Sequence, residues 1–80
     1  MKSVGHRTAN THVIASSGGR WAVRRSGAPR ATRVFESRGD AVDFARTLAR
    51  AQHVRLFIHD RDGTVQHMDS YEADANAART

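Results

Sequence analysis

Ser37 to Ala51, SRGDAVDFARTLARA, is the stretch on which the fold turns. Ser37 is followed three positions later by Asp40, the spacing of a capping box. In such a box the serine oxygen and the carboxylate each satisfy a backbone N–H that the first helical turn leaves unpaired. Beyond it Ala41, Phe44, Ala45, Leu48 and Ala51 recur at helical spacing, with Asp43, Arg46, Thr47 and Arg50 on the opposite side. The pattern predicts an amphipathic helix with one face to bury. No second helical pattern accompanies it, so the partner has to be a sheet covered on one side only.

Working outward, the residues on both sides supply strands. Thr11 to Ala15 and Arg20 to Arg25 are β-branched or aromatic runs separated by Ser16-Ser17-Gly18-Gly19. The glycines can take the positive φ of a tight hairpin turn. With Gly18-Gly19 as a two-residue loop, Ile14 is expected opposite Val23 with Trp21 on their face, and Val13, Ala15, Ala22 and Arg24 on the other. Trp21 is then a core residue. Ser26 to Ala31 holds Gly27 and the single proline, Pro29, and reads as a loop before a third strand, Thr32 to Glu36. After the helix, Val54 to His59 alternates, Asp60-Arg61-Asp62-Gly63 is a turn, and Thr64 to Met68 closes a second hairpin. Leu56, Ile58 and Val65 are expected together. Arg55, Phe57, His59, Thr64, Gln66 and Met68 are expected on the opposite face. The expected fold is α+β: an antiparallel sheet with one helix packed on one face, in the order β-β-β-α-β-β. Residues 11–71 form the domain, and residues 1–10 and 72–80 are expected to be disordered tails.

Composition narrows the function classes. Lysine plus arginine number 13 against 8 acidic residues, a formal charge of +5, and every basic residue except Lys2 is arginine. Such an excess favours anionic partners, although GC-rich coding also converts lysine to arginine. There is no cysteine, which removes disulfides, thiolate metal ligands and thiol nucleophiles and points to a reducing cytoplasm. No apolar run is long enough for a membrane span, and Met1 to Asn10 has none that could serve as a signal-peptide core. A chain this short buries only about 60% of its unfolded surface, leaving little room for a deep pocket.

Three segments in order, Gly19-Arg20-Trp21-Ala22-Val23-Arg24-Arg25, then Arg33-Val34-Phe35-Glu36-Ser37 leading into Ala41, then His59-Asp60-Arg61-Asp62-Gly63, resemble the small bacterial proteins of domain of unknown function 2188. The match covers about residues 11 to 71. The resemblance implies a compact single domain and no particular activity. Residues 19–49 also resemble, in shape, the three-stranded DNA-binding domains of plant ethylene-response factors and of integrase arm-binding type. There the uncovered sheet face enters the major groove, and the corresponding face here would offer Arg24, with Arg20 and Arg33 as further candidates, fewer specific contacts than that mode needs.

No catalytic constellation is legible. No serine sits in a strand-turn-helix elbow, Ser37 is used as a cap, and the acidic residues flank a helix start or a turn tip. Among the histidines only His59 and His67 share a hairpin, and they point to opposite faces. No zinc site of three or four ligands can be assembled, and Asp60 to Gly63 lacks the later ligands of a calcium loop. No cofactor is expected, and the chain is expected not to be an enzyme.

The density of Arg20, Arg24, Arg25, Arg30 and Arg33 marks the best candidate surface, since guanidinium forks suit phosphate oxygens. Exposed arginines are also ordinary surface. Phe57 interrupts a polar face between Arg55 and His59, where it could stack a base, meet a partner, or pack near Tyr71 or in a dimer. The expected function is a small non-catalytic module binding nucleic acid through Arg20, Arg24, Arg25, Arg30, Arg33, Arg55 and Phe57 without strong sequence specificity. The alternative is a protein-interaction or homodimerisation module using the open sheet face.

Overall fold

The computed structural model describes residues 9–72. The expected tails at residues 1–10 and 72–80 therefore lie outside the described residues, apart from Ala9, Asn10 and Glu72. The elements follow the expected order: β1 Thr11–Ala15, β2 Trp21–Arg25, β3 Arg33–Phe35, α1 Arg38–Gln52, β4 Arg55–His59 and β5 Val65–Ser70. The strands form one sheet in the order β3-β2-β1-β4-β5.

The sheet is mixed, which corrects the antiparallel expectation. The pairs β1–β2, β2–β3 and β4–β5 are antiparallel, but β1–β4 is parallel, with Thr11 beside Leu56, His12 beside Phe57 and Val13 beside Ile58. The reason is directional. Strand β3 runs the same way as β1, and α1, about 22 Å long at 1.5 Å per residue, carries the chain back. Strand β4 then sets out in the direction of β1 and takes the free position beside it.

The first hairpin is displaced by one residue from the expected register. Val13 lies opposite Val23, Ile14 opposite Ala22 and Ala15 opposite Trp21. The chain reverses over Ser16 to Arg20 rather than over the two glycines alone. The Ser16 N–H donates to the Arg20 carbonyl at 2.8 Å and the Arg20 N–H to the Ser17 carbonyl at 3.3 Å. Gly18 and Gly19 adopt φ of 68° and 77° within this turn, a region costly for residues with a Cβ. Because side chains alternate, the shift exchanges the faces. Val13 is fully buried under the helix, and Ile14 is half-buried on the uncovered side.

In the second hairpin an irregularity between Ile58 and His59 has the same effect. Ile58 pairs with His67 but His59 pairs with Val65, leaving Gln66 as the extra residue. Val65 therefore leaves the company of Leu56 and Ile58 and is 53% exposed. Gln66, expected on the uncovered face, instead accepts a hydrogen bond from Arg38 at 2.7 Å. The turn itself is held by Asp62, whose Oδ1 accepts from the backbone N–H and the hydroxyl of Thr64 at 3.0 and 2.8 Å. These two bonds hold the Asp62 carboxyl below its usual pKa.

The helix is capped as its sequence predicts: Ser37 Oγ accepts from the Asp40 N–H at 3.1 Å. Its buried stripe is Ala41, Ala45 and Ala49, at i, i+4 spacing, packed against Val13, Trp21, Val23, Leu56 and Ile58. Small side chains let the helix sit close to the sheet. Phe44 and Leu48 fill the flanks, whereas Ala51 faces water and is not part of the stripe. Trp21, expected in the core, is 5% exposed. Among the described residues no helix is long and apolar enough to cross a membrane.

Candidate functional site on the open sheet face

With α1 on one side, the strand registers determine what the other side displays. One cross-strand row runs Val34, Ala22 and Ile14, and a second runs Arg24, His12, Phe57 and Met68. Phe57 is thus at mid-sheet on the uncovered face, where the alternation of β4 predicts it. Val34 and Met68, each 46% exposed, and Val65 all emerge on this side. Strands β3 and β5 are the two sheet edges.

At the centre of the second row the His12 ring stacks on Phe57, with centroids 5.1 Å apart and planes at 18°. His12 also links two other segments. Its Nδ1 lies 3.0 Å from His59 Nε2 and its Nε2 2.8 Å from Ser26 Oγ. His59 Nδ1 is in turn 3.0 Å from the Gly63 carbonyl oxygen. A carbonyl only accepts, so His59 carries its proton on Nδ1 and accepts at Nε2. His12 then donates from Nδ1, and the Ser26 hydroxyl donates to His12 Nε2. For neutral rings this is the assignment hydrogen-bond logic gives. Burial, and secondarily the neighbouring His59, pushes the His12 pKa below the ordinary histidine value.

The relay borders an open concavity of about 430 Å3, lined in part by His12, Ile14, Arg24, Arg25, Ser26 and His59. Its rim is the loop after β2. Gly27 takes φ 79° there, and Arg24 reaches back to the loop, donating from Nε to the Ala28 carbonyl at 3.1 Å and from Nη2 to the Pro29 carbonyl at 3.2 Å. The backbone below is pinned by Asn10, whose carbonyl accepts from the Ser26 N–H at 2.8 Å and whose Oδ1 accepts from the Arg55 N–H at 3.0 Å.

The arginines singled out from the sequence do not form one patch. Arg24 and Arg25 line the concavity, and Arg30 is exposed in the adjoining loop. Arg20 is 3.2 Å from Glu36 in an exposed ion pair. Arg33 lies opposite Val23 on the helix side, its guanidinium over Phe35 at 5.0 Å and Phe44 at 5.5 Å. Arg55 shares the face of Phe57 but is paired with Glu72 at 3.1 Å. Exposed pairs of this kind contribute at most about 1 kcal/mol each, so they orient side chains more than they hold the fold. His12 and Ser26 were not singled out, because nothing local connects residues 12, 26 and 59. The β1–β2 hairpin brings Ser26 to His12, and the parallel β1–β4 pairing adds His59. Among the described residues no group of three or more histidine, cysteine or acidic side chains is placed to hold a metal ion.

Comparison with known proteins bears on the fold and family. No curated protein and no solved structure matches the chain. Residues 19–49 supply two strands and the helix of a five-stranded sheet, so their likeness to three-stranded DNA-binding domains extends no further than a helix on a sheet. The model of a family described as "uncharacterized protein conserved in bacteria (DUF2188)" matches residues 11–71, the span from the first residue of β1 to Tyr71, which packs against the core. On that match, the chain belongs to the DUF2188 family of bacterial proteins.

Proposed function

We propose that this domain binds single-stranded nucleic acid on the open face of its sheet, without strong sequence preference. The observation that carries the reading is the row Arg24, His12, Phe57, Met68. It sets a stacked His12–Phe57 pair between a cation and an exposed thioether. Bases stack on such aromatic platforms whatever their identity, while arginines near the strand take its phosphates. Arg24, Arg25 and Arg30 serve the phosphate track on the side of the β2–β3 loop, and Arg55 begins the Phe57 strand at the same end of the sheet. Arg20 and Arg33, engaged with Glu36 and with Phe35 and Phe44, have secondary parts. The formal charge of +5 favours the encounter at low salt.

The test is a fluorescence-anisotropy titration with labelled single-stranded and duplex DNA and RNA at two salt concentrations. Saturable binding that prefers single strands, weakens with salt and is lost in Phe57→Ala is the expected result. No binding at low salt overturns the reading.

A second reading, self-association or docking of a protein on the same face, is favoured by the exposure of Val34, Val65 and Met68 and by the free edge of β5. It predicts a dimer in light scattering that Met68→Asp dissociates.

A further inference from the structure

Three hydrogen bonds in series lead from an exposed hydroxyl through two imidazoles to a backbone carbonyl: Ser26 Oγ to His12 Nε2 at 2.8 Å, His12 Nδ1 to His59 Nε2 at 3.0 Å, His59 Nδ1 to the Gly63 oxygen at 3.0 Å. A serine bonded to an imidazole whose far nitrogen is held by a third group is the arrangement that activates a hydroxyl for attack on a carbonyl. The chain puts it at the rim of a concavity and not in a strand-turn-helix elbow. Its members are the first residue after β2, the second residue of β1 and the last residue of β4. The His12 ring is held in plane by Phe57 beneath it.

We propose that Ser26 is a nucleophile and His12 its general base, with His59 as a positioning residue, acting on carboxylic esters that carry a negative charge. This activity goes beyond the binding reading. Ser26 Oγ bonds to the ester carbonyl carbon as His12 Nε2 takes the hydroxyl proton. The bond to the leaving alcohol oxygen then breaks, and that oxygen receives the proton from His12. Water, deprotonated by His12, attacks the acyl-serine, and the proton returns to Ser26 as the acid departs. The sum is ester plus water to acid plus alcohol. Arg24, held by the Ala28 and Pro29 carbonyls, and Arg25 line the same concavity. Arg24 sets the preference for an anionic substrate and places positive charge near the developing oxyanion. His59 donates to a neutral carbonyl and carries no negative charge, so it supports the transient His12 imidazolium less than a carboxylate would. Turnover is correspondingly slow.

Arg24, opposite His12 on β2, and the ionisable His59 face His12, and the cationic Arg25 follows along β2 on the helix side. All of them favour the neutral, proton-accepting ring. The rate therefore rises with pH through the His12 titration and is flat above it.

The test uses 4-nitrophenyl acetate and the anionic 4-nitrophenyl hemisuccinate with the full chain, following the burst of nitrophenol and mapping the acyl adduct by peptide mass spectrometry. The expected result is an adduct on the peptide containing Ser26, faster with the hemisuccinate, and a loss of about 100-fold or more in Ser26→Ala and in His12→Gln. Ser26 is exposed, so its truncation spares the fold, which circular dichroism verifies. His59→Gln keeps an acceptor for His12 Nδ1 but removes an ionisable neighbour. It is expected to slow acylation and move the pH midpoint upward, which a purely structural role would not do. Hydrolysis that persists in Ser26→Ala, an adduct on another residue, or a pH profile unmoved by His59→Gln overturns the proposal.

Discussion

His12 Nδ1 lies 3.0 Å from His59 Nε2 although the two residues are 47 positions apart. The contact fastens strands β1 and β4 on the face opposite the helix, and it depends on the two rings sharing one proton. Because burial, then His59, lowers the His12 pKa, the unfolded chain binds protons at this site more readily than the folded one. The stabilisation is complete above the ordinary histidine pKa near 6.5 and is lost as pH falls through that value toward the depressed one. The thermal midpoint is expected to drop between pH 7.5 and pH 5, and to drop less in His12→Gln. An equal drop in both proteins would assign the acid sensitivity to other groups.

Leu56 and Ile14 separate the two faces energetically. Leu56 is fully enclosed between sheet and helix, so Leu56→Ala is expected to cost about 2–5 kcal/mol in urea unfolding. Ile14 is on the uncovered side, and Ile14→Ala is expected to cost less than about 1 kcal/mol. The expected two-residue hairpin would have buried Ile14, so the ranking of the two variants tests the register directly.

The helix ends respond in opposite directions. Ser37→Ala removes the acceptor of the Asp40 N–H and is expected to cost about 1 kcal/mol. His53 closes the helix in the left-handed region at φ 56°, a conformation that burdens any residue with a Cβ. His53→Gly is expected to raise stability by up to about 1 kcal/mol. Thermal melts of the two single variants check both signs.

Arg24 and Arg33 differ in what they touch. Removing Arg24, which borders the concavity, is expected to weaken binding to single-stranded oligonucleotides and to reduce the salt slope by about 1. Removing Arg33, whose guanidinium covers Phe35 and Phe44, is expected to lower the melting temperature and leave affinity and slope nearly unchanged. Anisotropy titrations of Arg24→Ala and Arg33→Ala, each alongside a melt, distinguish the two roles.

Local patterns were enough to place the elements. The Ser37–Asp40 cap, the alternation in residues 54–59 and the Asp60 to Gly63 turn depend on neighbours in the chain, and each element formed close to where its residues indicated. The same alternation put Phe57 and Met68 on the uncovered face. Faces that depended on one residue of slack were not legible. The reversal over Ser16 to Arg20 and the extra residue at Gln66 each shift a strand by one, and with a period of two that exchanged Val13 for Ile14 and turned Val65 outward.

The candidate site is the clearest division between sequence and tertiary structure. The sequence by itself determined that one helix would cover one side of a sheet, that the surface would be rich in arginine, and that residues 55–59 would present Phe57 and His59 together. Whether β4 would lie beside β1, and in which direction, was decided only when the helix returned the chain to the far side of the first hairpin. That single long-range pairing brings His12 against His59, while the β1–β2 hairpin brings Ser26 to His12. Hydrogen bonds between residues 47 positions apart leave no periodic trace in the chain, because they arise from how the strands are ordered and not from which residues are adjacent.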